Sequence, residues 1–197
     1  MTERARGHPN TAFAVASMGE PLSFSDTMVT STPDLNPIKA FVFCGQGPQH
    51  EHMGVHMYTR FAAFRNSVNA SFEMVAKFHK KNFQDEYGLF NPELNGKVAK
   101  TDKGDWKVEC IVIAITIFQI ALFDLWVDLG VQPDVVLGHS VGEIAAMYAS
   151  GALTHEKAIR TAIARSNALS LLDTIDGQMA ALGMSRQEAE QLIQRIM

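Results

Sequence analysis

The hydrophobic positions of this chain fall into two alternating patterns. Short, nearly continuous apolar runs predict buried β-strands at 38–44, 135–137 and 179–184. Between them, apolar residues recur at intervals of three or four, which predicts amphipathic helices. The predicted helices cover 53–80 (as one helix or two), 111–128, 142–150, 154–172 and 185–196. Strands that alternate with helices indicate an α/β fold with a parallel sheet.

Two stretches lack this periodicity. Residues 1–36 are rich in Ser, Thr, Pro and Met, and we interpret them as a flexible N-terminal segment. Residues 82–105 carry Asn, Asp, Gly, Lys and a proline, and they are predicted to form a surface loop. The folded part of the chain is therefore expected to begin near residue 37.

Length and composition restrict the class of protein. With 197 residues, of which 47% are hydrophobic, the chain can bury a substantial core. A net charge of −4 provides no basic surface for nucleic acid. The apolar run 110–127 contains Gln119 and Asp124 and falls short of the roughly twenty apolar residues that cross a bilayer. It therefore predicts a buried helix and no membrane partner.

The cysteines and the N-terminus point to the cytoplasm. Cys44 and Cys110 are too few for a disulfide framework, and both stand among apolar residues, which predicts reduced thiols in the core. The first residues lack the apolar run of a secretory signal. A cytoplasmic location is therefore expected.

The sequence Gly-His-Ser-Val-Gly at 138–142 is the clearest candidate for chemistry. It follows a β-branched run and precedes an apolar-periodic helix, which is the context in which a nucleophile elbow forms. The two glycines let strand and helix cross closely, so the hydroxyl of Ser140 is exposed at a sharp turn. The helix N-terminus favours negative charge, and the amide of Val141 is a candidate donor to an oxyanion. Ser140 is the predicted nucleophile.

A serine nucleophile needs a base to take its proton, and this chain offers no strong candidate. Of its seven histidines, only His155 follows Ser140, and its place at the start of a helix predicts an exposed residue. His139 is adjacent to Ser140, but neighbouring residues of an elbow point in different directions. His139 is therefore a weak candidate for the base, and the base is predicted to be missing from the chain; His139 is assigned to substrate binding.

A group of histidines precedes the first long helix. His52 and His56 would share a helical face, as zinc ligands can, and His50 is nearby. Glu51 is adjacent, but no Cys, Asp or Glu with matching spacing completes a set of ligands. No metal site is predicted.

Arg165 is a candidate for binding a carboxylate. On the helix predicted from Thr154, a turn of about 100° per residue puts Arg165 at the border of the apolar face, whereas Arg160 lies well off it. A guanidinium at such a border can reach into a cleft and bind a carboxylate through two hydrogen bonds. The alternative is a surface arginine whose stem covers the core, and both interpretations are open at this point.

Three motifs together resemble the acyltransferase domain of polyketide and fatty-acid synthases, in particular those of fungal polyketide synthases. They are Phe-Cys-Gly-Gln-Gly-Pro-Gln at 43–49 with Met53 and Gly54, Gly-His-Ser-Val-Gly-Glu-Ile-Ala at 138–145, and Arg165. The segments 130–134 and 162–165 are also similar to that family. The resemblance covers residues 38–197. It implies an α/β-hydrolase-like parallel-sheet core over 37–176, followed at 177–197 by the beginning of a ferredoxin-like small subdomain.

The resemblance implies a ping-pong acyl transfer in polyketide or fatty-acid biosynthesis. Ser140 would take a malonyl group from malonyl-CoA as an ester and pass it to the phosphopantetheine thiol of an acyl carrier protein. The matching positions imply that the backbone amides of Gln46 and Val141 form the oxyanion hole and that Arg165 binds the malonyl carboxylate. No bound cofactor is implied, and the partners would be the acyl-CoA, the carrier protein and other synthase domains.

Members of this family are longer than the present chain, and their catalytic histidine lies in the later part. The resemblance therefore implies the front portion of an acyltransferase, truncated within the small subdomain and weakly active or inactive alone. Two other classes are open. One is an esterase of the α/β-hydrolase type, in which water replaces the carrier thiol and Arg165 is not needed. The other is a non-catalytic module that binds a partner.

Overall fold

The computed structural model describes residues 10–13, 28–31, 38–79, 88–90, 106–171 and 182–196. Within these ranges the strands are β1 Asn10–Phe13, β2 Met28–Ser31, β3 Ala40–Phe43 and β4 Val135–Gly138. The helices are α1 Val55–Arg60, α2 Ala62–His79, α3 Val108–Asp128, α4 Gly142–Ala149, α5 His155–Ser170 and α6 Arg186–Ile196. A parallel strand pair with helices packed against one of its faces confirms the predicted α/β class.

β3 and β4 form the parallel pair that carries the candidate site. They are in register from Ala40 opposite Val135 to Phe43 opposite Gly138. Lys39 joins the starts of the two strands, because its amide and its Nζ donate to the carboxylate of Asp134 at 2.8 and 3.0 Å. Both strands therefore end at the same level, and the loops that follow them begin side by side.

The two faces of this strand pair differ in burial. Phe41 and Phe43 point to the side of the core, where their rings pack against Phe123 of α3. On the other face, the side chains of Val42 and Leu137 are 70% and 55% exposed. Parallel sheets usually bury both faces. The outer face of the β3–β4 pair is therefore an unusual apolar surface within the described part of the chain.

α3 is the helix around which the core is built. Every residue from Cys110 to Ile117 is buried, and the helix packs against α2, α4 and α5. By length and composition alone α3 could cross a membrane, but 67% of its most apolar 18-residue stretch is buried inside the protein. The prediction of a buried core helix is confirmed.

The two cysteines differ in their surroundings. Cys110 is buried in α3, and burial raises the pKa of its thiol to about 12, as expected for a core thiol. Cys44, in contrast, is exposed, so the prediction of a second core thiol is wrong. The reason is the alternation of side chains along a strand: Cys44 follows β3 on the same open face as Val42.

Part of the predicted surface loop over 82–105 is buried. Leu89 and Phe90 are 2% and 1% exposed, and the ring of Phe90 stacks on Phe118 of α3 with 6.3 Å between centroids. Gly54 makes room for this ring, because a Cβ there would lie 2.6 Å from Phe90 Cδ1. Two apolar residues between polar neighbours show no periodicity, which is why the sequence did not reveal them. The rest of this range, apart from Gly88, lies outside the described residues.

The helix predicted over 53–80 is two helices, separated at Phe61. The backbone of Phe61 is extended, with φ −114° and ψ 116°, which ends α1 before α2 begins. The predicted helices at 111–128, 142–150 and 154–172 correspond to α3, α4 and α5. Thr154 caps α5 as expected, because its Oγ1 accepts a hydrogen bond from the amide of Lys157 at 3.3 Å.

The two ends of the chain differ from their predictions. β1 and β2 pair antiparallel, whereas no regular element was expected within 1–36. Each of these strands mixes polar and apolar residues, so neither forms the continuous apolar run that identified β3 and β4. Of the strand predicted at 179–184, residues 182–184 are not in a strand, and 179–181 lie outside the described residues. α6 begins after Ser185 as predicted, in a capping box with Glu188.

A polar cluster lies where α2, α3 and α4 meet. The carboxylate of Asp124 accepts hydrogen bonds from the hydroxyls of Ser67 at 2.5 Å and Tyr148 at 2.8 Å. Burial, followed by the hydrogen bond to Asp124, raises the pKa of Tyr148 well above its ordinary value. These hydrogen bonds join the three helices. They also give each of these partly buried polar side chains a partner, as polar groups within a protein core require.

His155 belongs to the same region and corrects the prediction of an exposed residue. Its Nε2 lies 2.7 Å from the hydroxyl of Ser71, and its ring lies 5.4 Å from that of Tyr148. It is half-buried because α2 packs over the start of α5. Arg165 follows ten residues later on α5, about 15 Å along the helix axis. His155 therefore serves the core and is far from the end of α5 that bears Arg165.

We expect the stability of the protein to fall as the pH drops below 6.5. Burial lowers the pKa of His155 from its ordinary 6.5, and the charge of Asp124 opposes this only in part. The unfolded chain binds a proton that the folded chain excludes, so the contribution is complete above pH 6.5 and is lost towards the lowered pKa. Urea unfolding at about pH 7.5 and about pH 5.5 measures this loss.

The pH effect has a matched control. His155→Gln should reduce the difference in unfolding free energy between the two pH values, whereas His52→Gln, at an exposed position, should leave it unchanged. A pH dependence that is the same in the wild type and in His155→Gln would contradict the assignment.

Candidate active site

Ser140 lies at a sharp turn between β4 and α4. Its φ of 53° is in the left-handed region, which costs a non-glycine residue about 1–3 kcal/mol. Backbone hydrogen bonds hold the turn on both sides. The amide of His139 donates to the carbonyl of Phe43 and that of Gly142 to the carbonyl of His139, each at 2.9 Å. The bend predicted at 138–142 is present, with the serine at its apex.

The two glycines of the turn permit a close crossing of backbones. A Cβ on Gly142 would overlap the carbonyl oxygen of Phe43 at the end of β3. A Cβ on Gly138 would lie 2.5 Å from the Cα of Glu143 in α4. Both obstacles are main-chain atoms, which cannot move aside as a flexible side chain can. The glycines are therefore required by the path of the chain around Ser140.

We expect Gly142→Ala to lower the free energy of unfolding by about 3 kcal/mol or more, the upper end of the usual cost of overpacking. The reason is the overlap with Phe43, which requires β3 and α4 to separate. Urea denaturation measures the change. Gly183→Ala is the control, since a Cβ at that exposed residue meets nothing within 4 Å. A Gly142→Ala protein as stable as the wild type would contradict the described turn.

Arg165 reaches from α5 to the hydroxyl of Ser140. Its Nη2 donates to Ser140 Oγ at 3.2 Å, and the side chain is half-buried. The next residue, Ser166, is fully buried and donates to the carbonyl of Glu109, which anchors this part of α5 to the start of α3. Arg160, on the exposed side of α5, pairs with Glu156 at 3.7 Å and lies over the ring of Phe78, 5.2 Å from its centroid. Of the two interpretations of Arg165, the geometry favours a guanidinium in the cleft.

The loop after β3 lies against the elbow. Gly45 is buried, and a Cβ there would lie 3.0 Å from His139 Nδ1 and 3.1 Å from Ser140 Cβ. Gln46 follows in a bend and is exposed. The exposed ring of His139 rests beside this loop. The structure thus places Gly45, the residue before Gln46, against the elbow.

Val141 is the residue that leads into α4. The first hydrogen bonds at the start of this helix use the amides of Gly142, Glu143 and Ile144. The amide of Val141 precedes them, at the positive end of the helix dipole. Its side chain is 2% exposed, so packing fixes the orientation of this peptide group. The position suits a donor to negative charge that develops beside Ser140.

The candidate base is the least complete part of the site. Among the residues that the structure describes, the side chain that hydrogen-bonds to Ser140 Oγ is that of Arg165, and no imidazole does so. His155 is engaged with Ser71 at the other end of α5. The described ranges also contain no group of three or more His, Cys, Asp or Glu side chains placed to hold a metal ion.

Gln119 is a residue of this region whose role sequence reasoning missed. It lies in α3, is 6% exposed, and its Nε2 donates to the carbonyl of Cys44 at 3.1 Å. That carbonyl begins the loop that leads to Gln46. The sequence shows Gln119 only as a polar interruption of an apolar run, and such an interruption is the one signal that could have drawn attention to it.

An apolar cavity of about 360 Å³ lies beside this loop, between β3 and α3. Its lining includes Cys44, Gln119, Phe123 and Trp126. Neither Ser140 nor Arg165 lines it. Its size is within the range of small-molecule sites, but its position separates it from the hydroxyl of Ser140.

Comparison with known proteins gives consistent matches. Residues 40–196 match the family model of the acyl transferase domain. The chain is 35% identical over 165 residues to a highly reducing polyketide synthase of Strobilurus tenacellus, in an alignment that covers 84% of this chain and 6% of the relative. It is 36% identical over 182 residues to one of Aspergillus terreus, covering 90% and 7%. The chain thus spans less than a tenth of the length of these two relatives.

Solved structures show the same relationship. The acyltransferase domain of the polyketide synthase PpsC of Mycobacterium tuberculosis is 29% identical with a TM-score of 0.63, over 79% of this chain and 44% of that one. The malonyl-CoA:ACP transacylase of Synechocystis shares the fold, with 24% identity and a TM-score of 0.55 over 68% and 41%. The resemblance read from the motifs is confirmed: the chain belongs to the acyl transferase domain family and is related to the acyltransferase domains of polyketide synthases.

Proposed function

We propose that this chain transfers a malonyl group from malonyl-CoA to an acyl carrier protein through an ester on Ser140. Membership of the acyl transferase domain family supports the reaction class. The observation that carries the finer proposal is the contact of Arg165 Nη2 with Ser140 Oγ at 3.2 Å. A fixed positive charge next to the acylated hydroxyl suits an acyl group that has its own carboxylate.

The chemistry proceeds in two half-reactions. Ser140 Oγ attacks the thioester carbonyl of malonyl-CoA, the carbon–sulfur bond breaks, and the CoA thiol leaves with the proton of the serine. The phosphopantetheine thiol of the carrier protein then attacks the ester, and the hydroxyl of Ser140 is restored. In both steps the carbonyl oxygen becomes an oxyanion, which the amides of Gln46 and Val141 stabilise. No cofactor takes part.

Selectivity in this scheme comes from Arg165. The guanidinium binds the free malonyl carboxylate through two charge-assisted hydrogen bonds. An acetyl group would leave the half-buried charge without this partner, and the site therefore favours the dicarboxylic acyl group. His139, exposed beside the same turn, contacts the acyl-CoA.

Proton transfer limits the rate of the isolated chain. Positioned acid–base groups contribute about 10²–10⁴-fold to such reactions, and the described residues hold no imidazole at Ser140. We therefore expect slow acylation and little or no multiple-turnover transfer. Free imidazole in solution, acting as the base, should accelerate acylation of the wild type.

The proposal includes a division of the chain. Residues 37–176 form an α/β-hydrolase-like core, and 177–197 begin a ferredoxin-like small subdomain. The parallel pair β3–β4 with the elbow after β4 supports the first part. The exposed surface of α6, in which no residue is buried, supports a separate unit for the second. The carrier protein and other synthase domains are the proposed partners, in the cytoplasm.

The competing function is a serine esterase, because the elbow serves either reaction. The test is the fate of the acyl group after Ser140 has been loaded with malonyl-CoA in the presence of imidazole. The loaded chain is separated from CoA and divided between buffer and buffer that contains phosphopantetheinylated carrier protein. We expect transfer to the carrier thiol to be faster than release to water. Release at the same rate with and without carrier would favour the esterase, and a chain that takes no acyl group would indicate a binding module.

A further inference from the structure

We infer that Gln119 is a positioning residue for acyl transfer, which holds the loop that presents the amide of Gln46 to the oxyanion. This inference rests on the proposed function of Ser140. It begins from a polar side chain in the most apolar helix of the protein, where an unpaired amide would cost about 1–3 kcal/mol. A glutamine at this position can hold another segment of the chain through a hydrogen bond, which a leucine could not.

The hydrogen bonds of Gln119 lead out of its own helix. Its Nε2 lies 3.4 Å from the carbonyl of Ile115 one turn earlier, a partner that any helical glutamine can find. The shorter bond, at 3.1 Å, goes to the carbonyl of Cys44, 75 residues away in sequence. Because Gln119 is 6% exposed, water does not readily replace this bond. The side chain therefore ties α3 to the first residue after β3.

The carbonyl of Cys44 is held from two directions. Gln119 donates to it from α3, and the Cα of Gly142 approaches it from α4, where a Cβ would lie 2.7 Å from this oxygen. The peptide group is planar, so fixing this oxygen also fixes the amide of Gly45. Gly45 in turn packs against Ser140. The loop and the elbow are thus one rigid unit, and Gln119 is the side chain that sets the angle of its first peptide.

Loss of this bond should act on the reaction rate more than on substrate binding. Without Gln119 the first peptide of the loop loses its hydrogen bond to α3 and can tilt, and the amide of Gln46, two residues on, shifts with it. Removal of a whole oxyanion donor costs about 10²–10³-fold in rate. A displaced donor costs less, and we expect about 10- to 100-fold. The malonyl carboxylate and its partner Arg165 are untouched.

The test compares Gln119→Leu with a matched variant of the same helix. Thr116→Val is the control, because Thr116 is also fully buried in α3 but its hydroxyl donates only to the carbonyl of Val112 in its own helix. Single-turnover acylation by malonyl-CoA is followed by intact mass, with imidazole in all samples. Three quantities are read: the rate constant at saturation, the half-saturating concentration and the final acylated fraction.

Gln119→Leu should lower the rate constant about 10- to 100-fold while the half-saturating concentration and the final fraction stay as in the wild type. A merely structural role would instead lower the final fraction, because fewer chains would be folded. Thr116→Val should match the wild type within about twofold. An unchanged rate constant in Gln119→Leu, with normal wild-type acylation, would overturn this inference alone, whereas a wild type that forms no ester would contradict the proposed function.

Hydrogen exchange provides a readout that does not need activity. Exchange of the backbone amides in 44–49 is measured by mass spectrometry in the three proteins. We expect faster exchange in Gln119→Leu than in the wild type and in Thr116→Val, with no difference in α2. Equal exchange of this loop in all three proteins would overturn the positioning role, whatever the rates of acylation.

Discussion

Ser140→Ala is expected to abolish the covalent acylation of this chain by malonyl-CoA. The hydroxyl at the apex of the turn is the atom that becomes esterified in the proposed reaction, and no other group replaces it. The substitution leaves the rest of the site in place, since Gly138, Gly142 and the backbone hydrogen bonds define the turn. Intact mass after incubation with malonyl-CoA and imidazole measures the loss.

The control for this variant is Ser150→Ala. Ser150 is an exposed serine at the end of α4, and its hydroxyl donates to the carbonyl of Met147 at 3.0 Å. It should acylate like the wild type, and both variants should keep the wild-type circular dichroism spectrum. Acylation of Ser140→Ala at the wild-type rate would show that another residue carries the acyl group.

Arg165→Ala is expected to lower the rate of acylation by malonyl-CoA about 10²- to 10³-fold. Truncation of one partner of a buried, hydrogen-bonded charge pair costs about 2–5 kcal/mol, and each 1.36 kcal/mol is tenfold in rate. Acetyl-CoA has no carboxylate for the guanidinium, so its rate should change little or rise. The preference between the two substrates is therefore expected to collapse. Single-turnover rates with each acyl-CoA measure it.

Two further arginine variants sharpen this result. Arg160→Ala removes a guanidinium from the exposed side of the same helix, and both rates should stay at the wild-type value. Arg165→Lys retains the charge but loses the planar pair of donors, and an intermediate preference is expected. An equal loss with malonyl-CoA and acetyl-CoA in Arg165→Ala would mean that Arg165 supports the turn but does not select the substrate.

The parts of this fold that follow from local pattern could be predicted from the sequence. The apolar run of α3, the capped start of α5 at Thr154 and the elbow between β4 and α4 each have a signal within a few residues. The sharp turn at Ser140 could be predicted for the same reason, because two glycines at fixed spacing after a β-branched run are typical of a nucleophile elbow. The position of Arg165 at the border of the apolar face of α5 followed from helical geometry, and the structure shows this side chain half-buried.

The parts that depend on distant contacts could not be predicted. Phe90 is buried because α2 and α3 form a pocket for it, and its neighbours in sequence carry no trace of that pocket. His155 is half-buried because Ser71, 84 residues earlier, lies over it. Gln119 has its partner 75 residues away at Cys44. Local periodicity indicates which face of an element is apolar, but not which particular polar groups meet across the core.

The central claim is that the hydroxyl beside the Arg165 guanidinium is the one that takes the acyl group. Tandem mass spectrometry of the wild-type chain after incubation with malonyl-CoA and imidazole locates the modified residue directly. The account predicts a malonyl ester on Ser140, with the exposed thiol of Cys44 unmodified. A malonyl group on Cys44, or on any residue other than Ser140, would contradict it.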